Sequence, residues 1–128
     1  MYQPYADATY YTTVYGGTLI PQDERDKSLT QASRHIDTLT YNRIVARGID
    51  TLTAFQEDVV QRVCCMMADF EYDNADMINT VLQSYSINGA SMTFGESWNL
   101  RVQDGVAVQR DTYSLLSQTG LCSSCLGV

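Results

Sequence analysis

Apolar residues return at helical spacing in two long stretches of the chain. In the first, Leu29, Ala32, Ile36 and Leu39 lie at offsets of three, seven and ten, which sets them on one face of a helix. Arg25, Lys27, Gln31 and Arg34 take the wetter sides. Pro21 has the fixed φ suited to a first helical position, and Asp23 and Glu24 suit the positive end of the helix dipole. The pattern predicts a helix from about Pro21 to about Leu39. In the second stretch, Phe55, Val59, Val63, Met66, Met67 and Phe70 form a continuous apolar stripe, with Glu57, Asp58, Gln61 and Arg62 elsewhere. Thr53 and Gln56, three residues apart, form a capping-box signature at its start. The stripe fades around Tyr72-Asp73-Asn74, and Met77, Ile78, Val81 and Leu82 fit one or two further helical turns.

The remaining segments are shorter. Residues 7–15 leave strand and helix open, since Thr and Tyr favour strands while Asp7 is a good N-cap; a short helix is the favoured reading, and Gly16-Gly17 ends it because glycine takes positive φ without steric cost. Residues 40–50, with Asn42 and Gly48 and no sustained period, read as a loop. From Ser84 the pattern alternates: Ile87, Met92 and Phe94 are interleaved with small polar residues around Asn88-Gly89, a strong hairpin signal. A β-hairpin or extended arm is therefore expected over residues 84–103, with Trp98 and Leu100 on its outgoing side. Val106 to Gln118 reads as a last helix, with Val108, Tyr113, Leu115 and Leu116 as its apolar face and Gly120 as its C′ residue. A tail follows over residues 119–128. The expected fold is mainly α: a small helical bundle with a protruding hairpin or arm and a C-terminal helix plus tail, in a single domain covering residues 1–128.

Charge and composition narrow the function. Eight Lys plus Arg against fifteen Asp plus Glu give a net charge of -7, which argues against a protein that grips phosphates. The longest strictly apolar runs fall well short of the ~20 residues that cross a bilayer. The N-terminal residues lack the basic and apolar regions of a secretory signal, so a soluble chain made in a cytosol is expected, with its four cysteines reduced.

The candidate chemistry is sparse. Cys122-Ser123-Ser124-Cys125 is half of a zinc or redox motif, but Cys64 and Cys65 diverge by ~100° on a helix and His35 is the single histidine, so four ligands are hard to assemble. His35 has Asp37 two residues on, the wrong spacing for a pair on one helical face, and reads as a surface or interface histidine. Asp69, Glu71, Asp73 and Asp76 lack the glycine and terminal glutamate of a calcium loop and read as a solvated helix end. Met66-Met67 beside Cys64-Cys65 reads as core filling. No nucleophile, base and orienting group come together, so neither an enzyme nor a cofactor is expected.

The order of short motifs resembles a known family. Tyr10-Tyr11, Tyr15-Gly16-Gly17, Ile20-Pro21, Ala32-Ser33-Arg34-His35-Ile36-Asp37-Thr38-Leu39-Thr40 and Asn42-Arg43-Ile44 look like the head-tail connector proteins of long-tailed bacteriophages, also called adaptor or head-completion proteins. Ser84 to Phe94 is similar to that family's polar arm, and Leu115-Leu116-Ser117-Gln118-Thr119-Gly120-Leu121 with Gly127-Val128 is similar to its closing motifs. Two places depart: Arg25-Asp26 stands where relatives tend to carry an aromatic, and Cys122 to Cys125 where they tend to carry a Tyr-Arg-like pair. The resemblance implies a virion protein made in the host cytoplasm. It would form a ring of about twelve copies closed by one repeated interface, seated between the portal and a tail-side completion or stopper protein. DNA would pass through the channel without sequence-specific binding, and the ring would help retain the genome. Contacts with neighbours are expected from the arm and the tail, through Tyr85, Ile87, Met92, Phe94, Trp98, Leu121, Leu126 and Val128. Other classes remain open here: a mainly β tail-completion or stopper protein, a small helical interaction module, and a metal or redox module built on Cys122 and Cys125.

Overall fold

The computed structural model describes residues 4–48, 51–76, 78–79, 100–103 and 106–122. These residues are mainly helical. Helix α1 spans Ala8–Thr13, with Asp7 as N-cap accepting a bond from the Tyr10 amide. A 3-10 turn at Gln22–Glu24 leads into α2, Arg25–Leu39, so the turn that Pro21 opens is tighter than α and the helix proper begins one turn later. The stretch expected as a loop contains a short helix, α3, Arg43–Arg47. It is entered through Tyr41 and Asn42, both at positive φ; two left-handed residues reverse the chain in minimal length, and Ile44 is thereby buried.

Helix α4 spans Ala54–Asp73 and starts at the expected capping box: Thr53 accepts from the Gln56 amide, and the Gln56 side chain accepts from the Thr53 amide. Residues 75–76 and 78–79 are again helical. Strand β1, Leu100–Gln103, pairs antiparallel with β2, Val106–Gln109, with Leu100 opposite Gln109 and Gln103 opposite Val106. Helix α5 follows directly, Arg110–Ser117. The start of the expected last helix is thus corrected, since Val106 to Gln109 form a strand. Its residues Val106, Ala107 and Val108 are all buried, and such an unbroken apolar run does not distinguish strand from helix. Of the expected arm, only residues 100–103 are described; the Asn88-Gly89 turn lies outside the described residues.

Helix α4 is central. It packs on α2 along one side and on α5 and β2 along another. Its buried set, Val59, Val60, Val63, Cys64, Cys65, Met67 and Ala68, is accordingly wider than one stripe. Leu29, Ala32, Ile36 and Leu39 of α2 are fully buried, as their spacing predicts. Phe55 is a correction: it is 56% exposed, because the buried part of α4 begins a turn later, at Val59.

Candidate functional site

The polar chemistry of the described residues lies in joints between elements. The first holds the N-terminal segment to α2. The Tyr5 amide donates to Ser33 Oγ at 2.9 Å and the Tyr5 hydroxyl donates to Asp37 Oδ1. Ser33 donates in turn to the Leu29 carbonyl at 2.8 Å and lies 3.2 Å from Cys64 Sγ. Asp37, which its sequence position sets too close to His35 to share a helical face, is buried and serves this joint instead.

The second joint centres on Tyr11, whose fully buried ring donates its hydroxyl to Asp69 Oδ1 at 2.5 Å and accepts from the Ile20 amide at 3.1 Å. Tyr15 stacks on Tyr11 with ring centroids 5.7 Å apart, and Arg25 lies 5.5 Å from the Tyr11 centroid while its Nε donates to the Ile20 carbonyl at 2.9 Å. Gly17 lies against the same ring, and a Cβ at that position would land on it. Gly16 takes the positive φ that the turn requires. Burial, followed by the bond to Asp69, raises the Tyr11 pKa; burial and the nearby Asp69 carboxylate raise that of Tyr15.

The third joint joins α2 to α4 through His35 Nδ1 and Glu71 Oε2, 2.5 Å apart. The other Glu71 oxygen, Oε1, is buried with no hydrogen-bond partner. The expectation of a solvated acidic helix end is therefore corrected for two of its four members. Asp69 and Glu71 serve joints, whereas Asp73 and Asp76 are exposed. Neither role is marked in the sequence, because each partner sits on a different element, 36 residues from Glu71 and 58 from Asp69.

The fourth joint fixes the C-terminal part of the described chain. The Arg43 guanidinium donates to the Leu121 carbonyl at 2.8 Å and the Gln56 side-chain Nε2 donates to the Thr119 carbonyl at 3.0 Å. Gly120 has positive φ, but the expected C′ position is corrected: the helix caps at Gln118, so Thr119 is C′ and Gly120 follows it, because three-residue turn bonds to Leu116 and Ser117 extend the helix end.

The thiols are placed for packing. Cys64, Cys65 and Cys122 are buried, and Cys64 and Cys65 carry free thiols. Burial pushes the Cys64 thiol up to about 11 and the Cys65 thiol, beside Cys64, up to about 12, so both stay protonated and poorly nucleophilic at neutral pH. Among the described residues no group of three ligating side chains is gathered for a metal, and no helix is long and apolar enough to cross a membrane.

Of the expected contact residues, Leu121 is 6% exposed and belongs to the chain's own core. Tyr85, Ile87, Met92, Phe94, Trp98, Leu126 and Val128, with Cys125, lie outside the described residues. Large apolar side chains that do face outward are Val14, Leu19, Tyr41, Val45, Phe55 and Tyr72. The sequence reading singled out none of these as a contact residue, since exposure of a lone apolar side chain leaves no periodic signal. These features define a mainly helical chain held by polar joints between distant segments. No family model, no curated protein and no solved structure matches it.

Proposed function

We propose that this chain is a structural virion protein, a head-tail connector of a long-tailed bacteriophage that acts by assembly and carries out no catalysis. Its fold on this reading is a small helical bundle with a protruding arm and a C-terminal tail. About twelve copies form a ring under the portal, closed by one repeated interface. The ring joins the capsid vertex to the tail-side completion or stopper protein and helps retain the packaged DNA. An acidic chain suits a channel that DNA must traverse without sticking.

The observation that carries this reading is the location of the residues on which the resemblance rests. Tyr11, Ile20, Ser33, Asp37, Leu116 and Leu121 come from motifs scattered over most of the chain, and all are buried. Gly17 and Arg43, from two further motifs, lie at the Tyr11 ring and at the Leu121 carbonyl. Short motifs that meet in one core are bound together by packing, as a shared fold would require.

Native mass spectrometry of the reduced protein, alone and mixed with portal rings of the same phage, tests the proposal. A species of about twelve subunits, alone or on the portal and unchanged by chelator, is the expected result. A chain that stays monomeric under both conditions overturns it, as does a monomer holding one zinc ion that chelator removes.

A further inference from the structure

The two ends of α4 carry surfaces of opposite sign. No acid lies between Asp37, which is buried, and Asp50, and the stretch between them holds Arg43 and Arg47. Arg43 is tied to the Leu121 carbonyl, and Gln56, in the first turn of α4, to the Thr119 carbonyl, so α3 sits beside the start of α4. Asp58 is matched there by Arg62 beside Tyr10, which leaves Glu57 against Arg43 and Arg47. Asp73 closes α4 at the far end, about 25 Å from Gln56 at the helical rise per residue. Glu24 shares a cavity wall with Tyr72 and Ala75, which brings the 3-10 turn before α2, with Asp23, to that same end. Lys27 lines the wall as well, while Arg25 is turned onto the Tyr11 ring. Arg43, Arg47, Asp23 and Asp73 form no ion pair among the described residues.

Both ends also hold residues that local physics disfavours. Tyr41 is kept at φ 56°, where glycine or asparagine is usual, with its ring 44% exposed beside the Arg43 guanidinium. Asp73 is the last residue of α4, where the helix dipole repels a carboxylate. Exposed residues that break a local rule point to a constraint from outside the fold.

We propose that α3 docks on the acidic end of a second copy of this chain, where Arg43 and Arg47 meet Asp73 and Asp23 and the exposed Tyr41 and Val45 supply the apolar contact. A guanidinium has five N–H donors, so Arg43 can hold the Leu121 carbonyl and a carboxylate together. Two different surfaces meet, so the contact is heterologous and repeats from copy to copy. The inference rests on the connector reading for its setting and adds which surfaces form the repeated interface. A nucleic acid is a poorer occupant, because two arginines neutralise too few phosphates in a chain of net charge -7.

Sedimentation velocity of the full reduced chain over rising concentration, at low and high salt, tests the contact. Copies are expected to associate at low salt and to separate as salt screens the charges. Arg47→Glu and Asp73→Arg, both at exposed positions that leave the core intact, should each weaken association about tenfold or more. Their equimolar mixture should regain it, because each variant offers the other an intact end and the two altered ends are again opposite in sign. Tyr41→Gly suits the positive φ, so it should keep the fold and weaken association several-fold. A charge reversal that associates as the unaltered chain does, or a mixture no better than its components, overturns the inference. Where unaltered copies associate only on portal rings, the number bound per ring is the readout, with the same expectations. Reversals that fill the ring normally overturn the contact and leave the connector reading standing. Copies that pair through these ends yet bind no portal retire the connector reading and leave the contact standing, and copies that associate neither alone nor on portal rings overturn both.

Discussion

At the scale of single residues, Gly17 and Tyr11 illustrate how close packing constrains the chain. The Tyr11 ring is fully buried and tied at its hydroxyl on two sides, so it cannot yield to a new methyl group at residue 17. Gly17→Ala should therefore destabilise the fold by about 1–3 kcal/mol, the usual cost of overpacking a tight core. The midpoint of urea unfolding measures it. The buried thiols and tyrosines govern the alkaline limit. The folded Cys64 and Cys65 values, about 11 and about 12, lie above the ordinary thiol value of 9.0. Above that ordinary value the unfolded chain loses thiol protons that the folded chain still holds, so stability falls as pH rises from there through the folded values. The raised Tyr10, Tyr11 and Tyr15 values act in the same direction. Stability should be flat from these groups below the ordinary thiol value and decline above it, and Cys65→Ala should make the decline shallower. Denaturant titrations at successive pH values report both.

At the scale of elements, the capping box sets where α4 begins. Thr53→Ala removes one of its two reciprocal bonds and should cost about 1 kcal/mol, whereas Phe55→Ala, at a mostly exposed position two residues on, should cost much less. Unfolding midpoints of the two variants, measured side by side, give the comparison. The contrast also shows what a sequence reveals about its elements. Capping and periodicity are local, so α2 and α4 are legible from Pro21, Thr53 and the spacing of Leu29 to Leu39, whereas in the Thr- and Tyr-rich α1 only the Asp7 cap tips the balance toward a helix. A stripe gives direction but not extent, so Phe55 fits its spacing although the core starts only at Val59. The strand Val106–Gln109 was hidden for a different reason: covered on both faces, it lacks the alternation that marks a half-buried strand. The pair between the two strands, Asp104-Gly105, ranks with Asn-Gly as a hairpin dipeptide and was the signal available.

At the scale of the whole molecule, the polar joints could not be read at all. His35 has only Asp37 near it in sequence, on its own helix, while its partner Glu71 lies on another. The buried Glu71 oxygen arises only once α2 and α4 meet. The same wide spacing governs how the chain is made. Tyr11 waits for Asp69, 58 residues later, and Arg43 and Gln56 wait for the carbonyls of Leu121 and Thr119, 78 and 63 residues later. During synthesis the helices can form early, and the long-range closures follow in two stages, at Asp69 and Glu71 and then at Thr119 and Leu121. Three of the joints have all their residues by Glu71, so a copy that stops short of Thr119 leaves one joint open, the one in which Arg43 and Gln56 find the Leu121 and Thr119 carbonyls.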